Sequence, residues 1–190
     1  MSGQNPVIPS ADGVAAAAKA AGAGGLPPVH LWNPPFCGDL DIRIARDGTW
    51  YHEGGAINRF ELMRLFASIL KLEDGRYYLV TPVEKVGITV DDAPFVATDF
   101  EVTGNGRDQV LEFATNVGDR AVLGAERGLR VERDAASGEP SPYVMIRAGL
   151  EALIDRKSFY RLVDLGEEHE GDFGVWSSGV FFPIVPVEEL

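Results

Sequence analysis

The sequence predicts an α+β protein built from two related halves, and three observations carry that prediction. A period-two strand pair between Leu40 and Tyr51 leads into a helical stripe of Leu62, Leu65, Phe66, Ile69 and Leu70, spaced i, i+3, i+4, i+7 and i+8 as one face of a helix requires. The same order of strand, helix and strands returns between Tyr143 and Val185. The stretch between these two blocks, from Glu84 to Arg133, is almost wholly strand-like in pattern.

Taken from the N-terminus, residues 1–28 are dominated by Ala, Gly and Pro, with only Asp12 and Lys19 charged. They are expected to form a structureless tail, because little in them can be buried to offset the entropy of ordering. An N-terminal half is expected over 29–83. In it Leu40, Ile42 and Ile44 alternate with Asp41, Arg43 and Ala45 on a half-buried strand. Asp47-Gly48 supplies a hairpin turn, and Thr49-Trp50-Tyr51 returns. Asn58 is the expected N-cap of the helix, with Glu61 completing a capping box. Asp74-Gly75 ends the helical region and a strand follows over Tyr77–Thr81. A larger, β-rich half is expected over 84–190, with strands at Glu84–Val90, Phe95–Val102, Gln109–Thr115, Leu129–Arg133 and Tyr143–Ile146. A helix over Arg156–Leu165 and strands across Phe173–Val185 complete it, and Pro183 and Pro186 suit a sheet edge.

Set without a gap over Ile154-Asp155-Arg156, the block Ile57-Asn58-Arg59 aligns Leu62 with Phe159, Arg64 with Arg161, Leu65 with Leu162 and Phe66 with Val163. This reads as a duplicated strand–turn–strand–helix–strand core. Amphipathic helices also resemble one another without common origin, and pattern alone leaves that alternative open.

The formal charge of −12 comes from 29 acids against 17 bases. It argues against a broad nucleic-acid or anionic-membrane surface, both of which need clustered Lys and Arg. Residues 162–190 carry seven acids and no base, so much of the excess is local and an arginine-lined anion site remains compatible with the rest. A single cysteine, Cys37, excludes an internal disulfide and fits a reducing compartment. Lys19 interrupts the N-terminal alanines, and the n-region lacks positive charge, so neither a signal peptide nor a membrane span is expected. The expected location is cytoplasmic. No Walker sequence, nucleophile elbow or zinc spacing occurs, and no cofactor, metal or catalytic residue is assigned.

Four segments together resemble the uncharacterised bacterial family known as domain of unknown function 1285. They are Trp32-Asn33-Pro34-Pro35-Phe36-Cys37-Gly38-Asp39, the hairpin Ile44-Ala45-Arg46-Asp47-Gly48-Thr49-Trp50-Tyr51-His52-Glu53, the block Thr81-Pro82-Val83-Glu84-Lys85-Val86, and Gly179-Val180-Phe181-Phe182-Pro183. The resemblance spans roughly residues 29–186. It implies two α/β halves with a duplicated core, the second superficially like a pleckstrin-homology barrel. It also implies a ligand site at the interface of the halves suited to a nucleotide-like molecule, and a role in signal transduction.

The residues themselves offer candidates for such a site. Arg59 and Arg156 are expected in the first turn of their helices, where the macrodipole disfavours a cation. Either an anionic ligand or a local ion pair, with Glu53 or Glu151, would offset that. Trp50 and Trp176 could stack on a base; both could equally fill the core. Lys85 and Arg147 are further candidate cations for a phosphate, Lys85 with a solvated reading beside it. His52 could act as an acid or base, given a carboxylate partner from elsewhere in the fold. His169 among Asp164, Glu167, Glu168, Glu170 and Asp172 reads as a solvated acidic loop, since the spacing fits no metal motif. Cys37 reads as a small buried hydrophobe. The leading expectation is a non-enzymatic module for a small anionic, nucleotide-like ligand. Alternatives are an enzyme using His52 with a carboxylate, or a domain that binds a peptide.

Overall fold

The computed structural model describes residues 8–22 and 25–190; the parts of the expected tail at 1–7 and 23–24 lie outside them. The fold is mixed α+β with two similar halves, and one of its sheets curls into a half-barrel. By internal contact the chain divides into two units. The N-terminal unit runs to Ala45 and resumes over Thr49–Asp92, and the C-terminal unit takes Arg46–Gly48 and Ala93–Leu190.

In the N-terminal unit a helix, α1 (Ala11–Ala21), forms inside the stretch expected to be structureless. Ser10 caps it by accepting from the Gly13 N–H at 3.1 Å. Val14 and Ala18, one turn apart, are buried where α1 packs against the second helix. Small side chains let two backbones approach closely, and it is this tertiary contact, invisible to an amphipathicity count, that orders the alanines.

The unit's sheet follows: β1 (Phe36–Ile44), β2 (Trp50–His52) and β3 (Gly55–Ala56), then α2 (Phe60–Ser68), then β4 (Leu70–Glu73), β5 (Arg76–Val80) and β6 (Lys85–Val90). The order is β3-β2-β1-β6-β5-β4, with β6 parallel to β1 and every other pair antiparallel. The strand expected to open the second half is therefore central in this sheet. Ile42 and Ile44 alternate inward on β1, and with Trp50, Phe66, Leu70, Leu79 and Val86 they form the unit's core.

The C-terminal unit places β7 (Phe95–Thr103), β8 (Val110–Thr115), β9 (Arg120–Val122), β10 (Leu129–Arg133), β11 (Pro140–Arg147) and β12 (Leu150–Ile154) in one six-stranded sheet. Its order is β10-β11-β12-β7-β8-β9, and β12 runs parallel to β7. After α3 (Arg156–Val163) come β13 (Glu167–His169), β14 (Asp172–Ser177) and β15 (Val180–Pro186), a separate antiparallel meander with β15, carrying both prolines, at one end of its order. Buried Ser177 ties the two sheets together, its hydroxyl donating to Leu123 O at 2.7 Å and accepting from Leu111 N at 2.9 Å. Pairing a buried hydroxyl in this way avoids a desolvation cost of about 1–3 kcal/mol.

A hairpin, a helix and a three-stranded meander thus occur twice. Their register differs by one residue from the gapless alignment. The interval from Phe60 to Arg156, the two helix starts, equals that from Asp74 to Glu170 in the following turns and from Arg76 to Asp172 in the next strands. It is one less than the interval between Ile57 and Ile154. The cause lies at the N-caps. Asp155 caps α3 by accepting from Ser158 N at 2.8 Å, whereas Arg59, not Asn58, occupies the cap of α2 and no side chain closes it.

Candidate functional site

Where α3 begins, the C-terminal unit opens into a cavity of about 300 Å3. The Asp155 carboxylate takes the Ser158 N–H and so fixes the first turn. Arg156, Phe159 and Tyr160, at i, i+3 and i+4, then share one helix face and line the opening. Pro140 and Pro142 at the start of β11 and Leu153 and Ile154 at the end of β12 supply apolar walls. Tyr160 is 60% exposed, unusual for so large a ring.

Arg46 completes the lining from the turn that follows β1. Its Nη2 donates to Ser141 Oγ at 2.9 Å. Across the opening, Arg156 Nη2 donates to Glu139 Oε1 at 2.7 Å in a pair whose side chains are 72% and 62% exposed. So open a pair contributes at most a fraction of a kcal/mol, about 0–1, and is readily exchanged. A second opening of about 370 Å3 shares Arg46 and Glu139 and adds Asp134, Ser137 and Ser141. Asp134 is held below the usual carboxylate range, foremost by the backbone N–H of Ser137, then by the Ser137 hydroxyl and the Ala136 N–H. Two guanidinium forks, two carboxylates and an exposed phenol ring therefore surround one space, with Asp155 already committed to its helix.

Of the residues singled out in the sequence, only Arg156 lines this cavity. Its partner is Glu139; Glu151 pairs instead with Arg130, at 2.7 Å. Trp50 is fully buried, stacked on Phe66 with ring centroids 6.3 Å apart, so it is core and out of a ligand's reach. Its indole N–H is buried without a partner. His52 lies half-buried on β2 and, among the described residues, has no carboxylate within hydrogen-bond distance. Arg59 is exposed at the N-cap of α2, and among the described residues no ion pair joins it to Glu53. Lys85 is not solvated: its Nζ lies 2.9 Å from Glu73 and over the Tyr78 ring, and Lys71 holds the same carboxylate at 2.9 Å. These two lysines, Lys71 first, keep Glu73 below the usual range. Arg147 pairs with Asp119 at 3.3 Å and covers Phe95.

Trp176 packs against His169 and Phe181, with Arg107 over its ring and its Nε1 donating to Glu167 at 2.7 Å. Among the described residues no group of three or more His, Cys, Asp or Glu side chains is placed to hold a metal. Cys37 is half-buried, its thiol directed at Pro35 O.

Arg46, Glu139, Phe159 and Tyr160 were missed. A signal for two of them was present: Arg156-x-x-Phe159-Tyr160 sets a cation and two rings on one helix face. Nothing local distinguishes Arg46 or Glu139, which come from turns far apart in the chain.

Among the described residues no helix is long and apolar enough to cross a membrane. Comparison with known proteins finds two family models, described as "Domain of unknown function (DUF1285), N-terminal domain" over residues 27–93 and "Protein of unknown function (DUF1285), C-terminal domain" over residues 94–184. A crystal structure of a DUF1285 family protein from Silicibacter pomeroyi DSS-3 is 66% identical, with a TM-score of 0.88 over 95% of this chain and 98% of that one. A second, from Shewanella baltica OS155, is 29% identical, with a TM-score of 0.52 over 65% of this chain and 90% of that one. No curated protein matches.

Proposed function

We propose, for a chain that belongs to the DUF1285 family of proteins of unknown function, that it is a ligand-binding module whose C-terminal unit takes a small anionic, nucleotide-like molecule in the cavity at the start of α3. One observation carries the reading: Arg46 and Arg156, brought from distant segments, line the same space as an exposed tyrosine. Guanidinium forks match phosphate oxygens, and an aromatic ring on the same helix turn offers a stacking face for a base. Glu139 can accept from the N–H groups of a heterocycle once Arg156 turns to the ligand's anion. The cavity volume lies at the lower end of the range for small-molecule sites, about 300–1,000 Å3.

A role in signalling and a cytoplasmic location belong to this proposal; a single thiol, which needs no oxidising compartment, supports the latter. The likeness of the C-terminal unit to a pleckstrin-homology barrel belongs to it too, supported by a half-barrel sheet in the chain.

The test is a titration with adenosine 5′-monophosphate, followed by calorimetry and thermal melting. At 100 times Kd a ligand adds about 2.7 kcal/mol of stability, which for a chain of this size raises Tm by about 5–10 °C. Arg46→Ala with Arg156→Ala should abolish the shift, and Tyr160→Ala should weaken binding about tenfold through the lost stacking surface. A wild-type chain indifferent to mononucleotides, or a double variant that binds as well as wild type, overturns the reading.

A further inference from the structure

Arg46 can serve the cavity only if its turn is held in place. The turn is closed by Ala45 N donating to Thr49 O at 2.9 Å, and Asn116 ties it to the strands of the C-terminal unit. The carboxamide Nδ2 of Asn116 donates to Gly48 O at 3.2 Å, and its Oδ1 accepts from Val96 N at 3.0 Å. The Asn116 backbone N–H closes the triangle by donating to Val96 O at 2.9 Å. One side chain thus clamps the Arg46–Gly48 turn to the start of β7.

The fit is close. Gly48 has φ +88°, and a Cβ there would stand 2.6 Å from Asn116 Nδ2 and 3.0 Å from Val96 Cγ2. Only glycine meets both the left-handed backbone and the contact. Asn116 is itself placed by the tight turn between β8 and β9, where Thr115 N donates to Asp119 O at 2.9 Å and Asp119 N to Thr115 Oγ1 at 3.1 Å. Arg46, two residues before the clamped carbonyl, then reaches Ser141 and the cavity.

From this geometry we infer that Asn116 is a positioning residue for anion binding, acting on the ligand solely through Arg46. The inference rests on the reading of the cavity given above and adds to it a residue that does not line the cavity. Asparagine is specific to the role because it must accept from Val96 and donate to Gly48 at once. Asn116→Asp keeps the acceptor and replaces the donor by a carboxylate oxygen facing the Gly48 carbonyl, so it releases the turn while leaving the Val96 contact.

The experiment is a double-mutant cycle read by calorimetric titration of adenosine 5′-monophosphate into the full chain, using wild type, Arg46→Ala, Asn116→Asp and the double variant. Asn116→Asp is expected to weaken binding about fivefold, the worth of one hydrogen bond's positioning. In the Arg46→Ala background it should have no further effect, because the group it positions is gone. A merely structural residue would weaken both backgrounds equally, and that additive result overturns the inference. Gly48→Ala, which strikes the same clamp from the other side, must repeat the pattern and guards against a variant that fails to fold. Unchanged affinity in Asn116→Asp while Arg46→Ala weakens binding overturns the positioning role and leaves the cavity reading standing. No binding by wild type, or no loss with Arg46→Ala, removes the cavity reading itself and this inference with it.

Discussion

Ala148 is held at φ +47°, a left-handed conformation that costs an L-residue with a Cβ about 1 kcal/mol. It opens the two-residue turn between β11 and β12, whose second position is Gly149 at φ +80°. Glu53-Gly54, Asp74-Gly75, Glu170-Gly171 and Ser178-Gly179 show the same two positive angles, the pattern of a type I′ hairpin turn. Asparagine tolerates the first position best, so Ala148→Asn should stabilise the protein by about 0.5–1 kcal/mol, measured as a higher urea midpoint at unchanged slope. Glu84 offers a residue-scale test of opposite electrostatic character. Burial raises its carboxyl above the ordinary value, so the charged form is the costly one in the folded state. The cost appears as pH rises through that value. Glu84→Gln should therefore raise Tm at pH 7, and the gain should vanish once acid has protonated Glu84 in the parent.

At the scale of elements, the two helices of the repeat differ most at their N-termini. Asp155 caps α3, and its replacement by Ala should cost about 1 kcal/mol, read in the same urea titration. α2 begins at an arginine with no side-chain cap, so Arg59→Asp should add about 0.5–1 kcal/mol by capping and by favouring the helix dipole. This asymmetry also explains what the sequence could and could not disclose. The hairpin at Asp47-Gly48 and the repeat itself were legible because period and turn chemistry are local; the helical stripe was legible only as far as Phe66, since α2 ends at Ser68, Leu70 opens β4, and Asp74-Gly75 is a hairpin turn and not the helix end. β3, β9 and β13 were not, being two or three residues long and defined by their partners alone. The Ala-rich α1 was hidden for the same reason: its order comes from Val14 and Ala18 resting on another helix. The candidate site was read least well, since Trp50 and Lys85 look like ligand groups until a core and an ion pair claim them. Arg46 gains its meaning only from folding that sets it opposite Arg156.

For the whole molecule, acid should be the effective denaturant. Glu73, Asp99 and Asp134 are each held below the usual carboxylate range, by lysines, by Arg161 and by Ser137 respectively. A lowered folded value means stability that is present above the unfolded value and lost as pH falls through the folded one. The urea midpoint should therefore drop between pH 5 and pH 3, with Glu84 opposing the trend, and Lys71→Met should make the drop shallower by relaxing Glu73. The two parallel pairings, β1 with β6 and β7 with β12, bear on how fast this structure is reached. Every other ladder joins strands close along the chain, several through two-residue turns that close within microseconds. The parallel pairs must instead bring together segments separated by residues 45–84 and by residues 104–149, paying the loop-closure entropy before any contact rewards it. Refolding of each unit should thus be timed by one event, the zipping of its single parallel seam, with the hairpins formed and waiting on either side.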